Sequence, residues 1–322
     1  MLAERSAMQP PETQMANRQS TESPVPLISI VIAVYNDWKL LDRCLRSLAA
    51  QVASPKFEVI VVDDGSRELA PEQILQWHAS FPLLCLRQSH QGISIARNFG
   101  VRRSTGSVLL FVDADCRFHQ SCLAALASTM DSFPQEGYFQ LRLKGVCSTL
   151  VGRVEHLRLL ALQNFLLQAD GHIRYLNTAG FATRRSRIDV DKGLFEPAAL
   201  RAEDTLLLAN LILRGELPLF ARAAIVEHAI SLSLLGCIMK DMRSAFLEAR
   251  TYDMIASQGV RVRITHRERL RILISMWKAS RQDSIGRLTW FVLSGKQTLR
   301  WMAAVTSRCL LHRGIPADEK FD

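Results

Sequence analysis

A run of four apolar residues, Leu109 to Val112, is followed directly by Asp113, Ala114 and Asp115. Such a run predicts a strand that is buried on both faces, as in a parallel sheet. The two carboxylates would then lie where the strand leaves the sheet, at the edge where open α/β sheets bind ligands. Carboxylate oxygens beside a substrate phosphate are typical ligands of Mg²⁺ or Mn²⁺. Taken alone, the pattern also fits a strand followed by an acidic turn.

Strands and helices alternate around this run. Apolar periodicity predicts four strands in the first half of the chain, at 28–34, 57–62, 83–86 and 108–112. After the first strand, the sequence predicts a helix capped by Asn36 or Asp37. Further along the chain it predicts helices at 71–79, 92–103 and 119–131. This alternation is typical of βαβ units and predicts an α/β fold, with a mostly parallel sheet flanked by helices.

The pattern is less regular from there to about residue 200. It predicts a helix at 150–168, an extended segment at 173–182, a helix at 203–214 and a short strand at 224–227. From residue 230 onward the pattern is helical and rich in Arg. We therefore predict a disordered tail over 1–25, an α/β catalytic domain over 26–230 and a basic amphipathic helical extension over 231–322.

Charge and cysteine content limit the classes of protein that fit this chain. Residues 230–322 carry 16 Lys and Arg against 8 Asp and Glu, so nearly all of the net charge of +9 lies in the extension. The seven cysteines are scattered and form no Cys-x-x-Cys pair, which argues for a reducing compartment and against zinc or a disulfide framework. No stretch of 18 uninterrupted apolar residues is present, so we expect no membrane-spanning helix.

Two further motifs in the first half contain residues suited to binding. The segment Asp-Asp-Gly-Ser at 63–66 closes the second predicted strand, where a carboxylate can accept hydrogen bonds from a base N–H or a ribose hydroxyl. A helix-capping turn is an equal alternative for this segment. Arg97 lies in the segment Ala-Arg-Asn-x-Gly at 96–100 and can pair with a carboxylate or a diphosphate, or remain solvated at a helix end.

Two motifs in the second half carry titratable side chains. Glu203 and Asp204 open the predicted helix at 203–214, where carboxylates are favoured by the helix dipole. One of them can equally serve as a general base that reaches into a cleft. His228 follows the short strand at 224–227, and imidazole is a common third metal ligand, although a lone His is more often structural.

The order of these motifs resembles glycosyltransferase family 2, whose members have the Rossmann-like GT-A fold. The segments Val34-Tyr35-Asn36, Asp-Asp-Gly-Ser, Ala-Arg-Asn-x-Gly, Asp-x-Asp and Glu-Asp occur in the order of that family over residues 27–230, about two-thirds of the chain. The resemblance implies an enzyme that transfers a sugar from a nucleoside-diphosphate sugar to an acceptor hydroxyl with inversion. It also implies a divalent metal cofactor, Mn²⁺ or Mg²⁺.

For the donor, the resemblance implies contacts from two groups of residues. The nucleotide would be held by Ala33, Val34, Tyr35, Asp63, Asp64, Arg97, Gly100 and Asp113. Within that group, Ala33 to Tyr35 and Asp64 would bracket the base, usually uracil, while Asp63 would support their loop. Asp115 would bind the metal, and Asp113 would approach the ribose or the metal. His228, singled out above by its chemistry, is the candidate third metal ligand. Metal and Arg97 together would offset the charge that develops on the departing nucleoside diphosphate.

For the acceptor, the resemblance implies that Asp204 is the general base that takes the proton of the attacking hydroxyl. Glu203 would help to position the acceptor, and Gly180 would form part of the wall of its site. One departure from the family pattern stands six residues after Asp204, where Asn210 replaces a frequent Arg. One supporting charge is therefore missing.

The extension suggests where the acceptor is found. Residues 261–281 hold seven Lys and Arg and one acid, interleaved with aliphatic residues and Trp277. Such a pattern suits a helix at the anionic inner face of a cell membrane, and so a lipid-linked or cell-surface glycan acceptor. An equal alternative is a helical subdomain that packs on the catalytic domain with a solvated basic face. No recognition motif supports a nucleic-acid partner.

Two other functions compete with glycosyl transfer. Nucleotidyltransferases can share a similar sheet, but they usually carry a glycine-rich loop with Arg and Lys after the first strand, and this chain has Val34-Tyr35-Asn36-Asp37 there. The second alternative is a non-catalytic relative that binds a sugar nucleotide. The loss of a carboxylate from the Asp-x-Asp or the Glu-Asp motif would favour it, but both motifs are complete in this chain.

Overall fold

The fold is described from a computed structural model, over residues 27–146, 149–228, 233–260, 262, 264–280 and 286–312. The predicted tail over 1–25 lies outside these ranges. The strands are β1 (Ile28–Val34), β2 (Phe57–Asp64), β3 (Leu83–Gln88), β4 (Val108–Asp113), β5 (Cys116–Phe118), β6 (Tyr138–Gly145), β7 (Phe181–Arg184) and β8 (Leu219–His228). The helices are α1 (Trp38–Ala49), α2 (Glu72–Leu75), α3 (Ile93–Arg103), α4 (Cys122–Ser132), α5 (Leu150–Leu166), α6 (Glu203–Leu213), α7 (Leu234–Ser257), α8 (His266–Ser280) and α9 (Gly286–His312).

All the described strands join one sheet in the order β3-β2-β1-β4-β7-β6-β8-β5. Its first half is parallel, because β1 pairs with both β2 and β4, and β2 pairs with β3. β1 and β4 are almost wholly buried, as their continuous apolar runs require. The predicted α/β fold with helices on the flanks of the sheet is thereby confirmed.

The second half of the sheet is mixed, and sequence periodicity missed two of its strands. β7 is antiparallel to β4 and β6, β6 is parallel to β8, and β5 is antiparallel to β8. The region after α4 was predicted only as less regular, and it contains β6, where Phe139, Leu141 and Leu143 are buried and alternate with polar residues. This alternation is a strand signal that the prediction did not use. β5 has three residues and depends on its pairing with β8, so no local pattern predicts it.

Two local expectations also needed correction. β8 begins at Leu219 rather than at residue 224, and its pairing register with β6 shifts between Leu141 and Arg142. At that bulge Arg222 and Ala223 are exposed, so the first half of the strand lacks an apolar signature. Asp37 does precede α1, but neither of the two expected side chains caps it: the Asn36 side chain instead accepts a hydrogen bond from the Arg67 N–H at 2.8 Å.

Helices α7, α8 and α9 follow the last strand and pack on the α/β domain through α5. Val154 of α5 forms a buried apolar cluster with Ile272, Met276 and Leu293. The ion pair between Asp241 and Lys296, at 3.2 Å, joins α7 to α9. Within the described ranges, no helix combines the length and the apolar composition that crossing a bilayer requires.

Candidate active site

Sheet register brings three of the sequence motifs to one edge. Val34 pairs with Asp63, and Ala33 pairs with Asp113, so the loops after β1, β2 and β4 leave the sheet at the same level. Tyr35 follows β1 directly and is 42% exposed, whereas Ala33 and Val34 are covered within the sheet. This edge is where ligands bind in open α/β sheets.

The Arg97 guanidinium joins two motifs that lie far apart in the sequence, one at Asp113 and the other at Glu203. It donates to Asp113 Oδ1 and to Glu203 Oε1, each at 2.6 Å, and only 1% of its side chain is exposed. Burial lowers the pKa of Arg97, but the two carboxylates outweigh burial and raise the pKa above its usual value. Of the two partners considered for Arg97, the structure contains the carboxylate. Its predicted contact with a diphosphate stays a prediction.

Asp113, Asp115 and His228 form a cluster with ligand atoms within 4.8 Å of one another. The cluster exists because Cys116, next to Asp115, pairs with His228 across β5 and β8. All three side chains are partly exposed, so a cation can reach them. Two carboxylates and one imidazole form a donor set that fits Mn²⁺ well and Mg²⁺ less well, since Mg²⁺ prefers oxygen ligands.

His228 and Asp115 also pair with each other, with Nε2 3.3 Å from Oδ2. Burial lowers the pKa of His228, but the Asp115 carboxylate more than reverses this and raises the pKa to about 9. The imidazolium therefore neutralises part of the negative charge of the cluster when no cation is bound. A bound metal ion would displace this proton, because a ligating imidazole is neutral.

Asp63 and Asp64 organise the loops beside Tyr35. Asp63 accepts hydrogen bonds from the Ser66 N–H and from Arg87, both at 2.8 Å. Asp64 accepts hydrogen bonds from the Gln88 side chain at 2.7 Å and from the N–H groups of residues 91 and 92 at 2.9 Å. Both carboxylates are buried. The role of Asp63 in supporting a nucleotide-binding loop and the contact of Asp64 with a base both stay predictions.

Tyr35 stacks on His90, a residue that sequence reasoning missed. Their ring centroids are 4.4 Å apart and both side chains are exposed. His90 Nδ1 lies 3.0 Å from Asp64 Oδ2, which fixes the imidazole beside the tyrosine. Together the two rings form a flat surface at the sheet edge that suits the face of a nucleobase. No single-residue pattern signals this contact, because it depends on the loop built around Asp64.

Glu203 and Asp204 occupy the first turn of α6. Ala202, just before them, has a left-handed backbone with φ of 59°, which is costly for a residue with a Cβ. Burial and the neighbouring Glu203 carboxylate raise the pKa of Asp204 to about 7. The Asp204 carboxylate accepts hydrogen bonds from the N–H and the hydroxyl of Thr205. A carboxyl group with such a pKa is suited to exchange protons near neutral pH.

The two glycines assigned to the site pack against the sheet. A Cβ on Gly100 would lie 2.5 Å from Val31 Cγ1, and a Cβ on Gly180 would lie 2.8 Å from Leu143 Cδ2. Gly100 thus lets α3 approach β1 closely, and Gly180 lets the turn before β7 approach β6 closely. The described contacts of both are with neighbouring strands, and their contacts with ligands stay predictions.

Asn98 is a second residue that the sequence did not single out. Its side chain donates to the Phe195 carbonyl at 2.7 Å and accepts from the N–H groups of Leu194 and Phe195 at 3.0 Å. The Phe195 ring lies 5.4 Å from the Arg97 guanidinium carbon. The two adjacent residues of the 96–100 segment therefore have different roles. Arg97 binds the carboxylates of Asp113 and Glu203, and Asn98 fixes the loop that covers Arg97.

Gly65 should tolerate no side chain. Its φ is 78°, and a Cβ there would lie 2.6 Å from the His90 backbone nitrogen. Gly65→Ala should therefore cost more than the roughly 1–2 kcal/mol of the left-handed backbone alone. Gly215→Ala is the matched control, since Gly215 has φ of 71° and no atom within 4 Å of the added Cβ. Urea unfolding measures both costs, and equal values would contradict the steric argument.

Comparison with known proteins identifies the family. Residues 29–188 match the family model described as glycosyl transferase family 2. The chain belongs to this family. It is 35% identical over 111 residues to glycosyltransferase AglE of Haloferax volcanii, covering 34% of this chain and 36% of AglE. It is also 35% identical over 130 residues to a validoxylamine A glucosyltransferase of Streptomyces hygroscopicus subsp. limoneus, covering 38% and 29% of the two chains. Each alignment thus spans only about a third of the relative.

Solved structures confirm the GT-A fold of this family 2 chain. S. aureus TarS 1–349 in complex with UDP superposes with a TM-score of 0.52 at 17% identity, covering 90% of this chain and 93% of TarS 1–349. The mannosyltransferase PcManGT of Pyrobaculum calidifontis, in complex with GDP-Man and Mn²⁺, gives 0.54 at 17% identity, with 91% and 80% covered. At this identity the likeness establishes the fold, and the ligands belong to those proteins.

Proposed function

We propose that this family 2 protein is a metal-dependent, inverting glycosyltransferase that uses a nucleoside-diphosphate sugar, with UDP as the favoured nucleotide. The acceptor is a hydroxyl of a lipid-linked or cell-surface glycan. The observation that carries the proposal is the contact of one buried guanidinium, Arg97, with both Asp113 and Glu203. It joins the motif proposed to hold the donor to the motif proposed to hold the acceptor.

The donor half of the proposal uses the sheet edge. The stacked rings of Tyr35 and His90 would support the base, and Asp113, Asp115 and His228 would hold the divalent cation. When bound there, the cation would supply positive charge to offset the charge on the departing diphosphate. The complexes of TarS with UDP and of PcManGT with GDP-Man and Mn²⁺ support this class of ligand.

The acceptor half assigns the proton to Asp204. Its carboxylate would remove the proton of the acceptor hydroxyl, whose oxygen forms the new bond to the anomeric carbon. The bond from that carbon to the diphosphate oxygen breaks on the opposite face, so the configuration inverts. Glu203 is tied to Arg97 and would position the acceptor through the first turn of α6.

We also propose that the reaction takes place at the inner face of the cell membrane and involves no nucleic acid. The support is the charge of residues 230–322, which hold 16 basic and 8 acidic residues. A segment with this excess of positive charge would bring the enzyme to an acceptor in an anionic membrane.

A donor panel tests the reaction class. The full chain would be incubated with UDP-, GDP- and dTDP-sugars, with Mn²⁺ or with EDTA, and the released product identified. Metal-dependent release of a nucleoside diphosphate would support glycosyl transfer. Release of pyrophosphate would instead assign the chain to the nucleotidyltransferases, and binding of nucleotide without release over a broad acceptor panel would assign it to non-catalytic relatives.

Asp115→Asn should weaken the binding of a nucleoside diphosphate in the presence of Mn²⁺ by at least about tenfold, since one charged ligand of the cation is lost. Binding measured in EDTA should change little. Asp131→Asn on α4, an exposed aspartate outside the cluster, is the matched control and should leave both values unchanged. Calorimetry with UDP checks this, and equal weakening in EDTA would contradict a metal role for Asp115.

A further inference from the structure

In the part of the chain that the structure describes, the exposed apolar residues are concentrated on α7, α8 and α9. Of the sixteen large apolar side chains that are exposed in the described residues, nine lie on α7, α8 and α9. Four of them form a stripe on α9, at spacings that keep them on one face: Leu288, Phe291, Leu299 and Met302. Phe291 is 61% exposed, an unusual state for an aromatic side chain without a polar group. Such a stripe indicates a contact with another apolar surface.

The exposed face of α8 alternates basic and apolar residues. Spaced by three or four positions, it consists of Arg267, Leu270, Arg271, Ile274 and Lys278. Leu270 is 59% and Ile274 47% exposed, while the opposite side of the helix buries Ile272 and Met276. The single acid of α8, Glu268, pairs with Arg174 of the catalytic domain. The outward face therefore carries three cations and, among its described residues, no acid.

An aromatic cluster joins the face of α8 to the stripe of α9. Trp277 lies with its ring centroid 4.9 Å from that of Trp290 and 6.3 Å from that of Phe291. Trp290 Nε1 donates to the Leu273 carbonyl at 3.0 Å, which fixes the two helices against each other. The two exposed faces thus meet at Trp277 and Phe291 and form one surface, which we call the α8–α9 face.

We propose that the α8–α9 face binds the surface of an anionic phospholipid bilayer. Its cations match the negative charge of the headgroups, and its aliphatic side chains and aromatic cluster suit the boundary between headgroups and acyl chains. A polyanion such as RNA would meet the cations but would leave Leu270, Ile274 and Phe291 without a partner. This inference extends the proposed function by naming the surface that contacts the membrane. It rests on the proposed function only in assuming that the acceptor lies in the membrane.

Vesicle flotation with the full chain tests the proposal. The wild type should bind vesicles of phosphatidylcholine and phosphatidylglycerol far better than vesicles of phosphatidylcholine alone. Each Lys or Arg near an anionic surface contributes about a factor of five to partitioning, so Arg267→Gln, Arg271→Gln and Lys278→Gln combined should weaken binding about 100-fold. Leu270→Gln, Ile274→Gln and Phe291→Gln combined should weaken it at least about tenfold.

The control removes the same number of exposed cations from the catalytic domain, with Lys56→Gln, Lys192→Gln and Arg222→Gln combined. It should bind like the wild type. Equal binding to both kinds of vesicle, or equal losses in the control and the α8 variant, would overturn the proposal. The proposal would also be overturned if the wild type bound no vesicles but formed a dimer in sedimentation velocity, and if the Leu270, Ile274 and Phe291 variant were monomeric. UDP calorimetry in the absence of vesicles reports separately on the proposed function, since its failure would leave the flotation result intact.

Discussion

Asparagine in place of Asp204 should lower the rate of sugar transfer by about 10²- to 10⁴-fold, because the amide cannot take the proton of the acceptor hydroxyl. The substitution preserves the shape of the side chain, and an amide oxygen can still accept the hydrogen bonds from Thr205. Initial rates at saturating donor and metal measure the loss, and UDP binding should be unchanged. A variant that retains more than a tenth of the wild-type rate would remove Asp204 from the proposed mechanism.

The same substitution should make the folded protein more stable at pH 8. The pKa of Asp204 is raised to about 7 in the folded state, from 3.8 in the unfolded chain. Between these values the folded state holds more protons than the unfolded state, so stability falls as pH rises through that window. The amide of the Asp204→Asn variant carries no charge and escapes this loss. We expect a gain of up to about 4 kcal/mol at pH 8, seen as a rise of several degrees in Tm, and almost none at pH 4.

The pH dependence of transfer tests the same group independently. A base with a pKa near 7 should make kcat/KM rise about tenfold per pH unit below that value and level off above it. Burial and Glu203 both raise the pKa of Asp204, so Glu203→Gln should move the rising limb to lower pH. A limb that stays in place would show that the rate does not report on Asp204.

The sequence predicted the parts of the candidate site that depend on local patterns. The strand before Asp113 follows from its apolar run, and parallel pairing then carries the motifs after β1, β2 and β4 to one edge. The cluster with His228 depends on β5, a strand of three residues whose pairing with β8 no periodicity reveals. His228 was therefore singled out by its chemistry and its place after a predicted strand, and the sequence could not show that it lies beside Asp113 and Asp115.

The sequence alone also could not show that Arg97 is buried and paired with carboxylates. A charged residue near a helix end is usually solvated, and nothing in the segment 96–100 marks it as buried. Burial follows from the position of α3 against β1 and from the loop at Phe195, held by Asn98. Long-range contacts of this kind have no local signature, which also explains why the stacking of Tyr35 on His90 was missed.

Arg97→Met should reduce the free energy of unfolding by about 3–5 kcal/mol, a large part of the stability of an ordinary domain. Methionine fills a similar volume, but it leaves Glu203, with 10% of its side chain exposed, and Asp113 without their counter-charge. Urea unfolding at pH 8 measures the cost. Arg46→Met is the matched control, because Arg46 is 70% exposed and pairs with Asp42, so its loss should cost less than about 1 kcal/mol.

The loss of stability in Arg97→Met has two possible causes, an uncompensated buried charge and lost packing, and a second substitution distinguishes them. If the buried carboxylate is responsible, Glu203→Gln should restore part of the stability of Arg97→Met while costing stability in the wild-type background. Arg97→Lys keeps the charge but loses the planar fork that reaches both carboxylates, so it should lie between Met and Arg. If Glu203→Gln has the same effect in both backgrounds, the two residues are not coupled, and Arg97 does not energetically link the motifs proposed to hold the donor and the acceptor. A coupling of about 1–3 kcal/mol would establish that link without any knowledge of the sugar that is transferred.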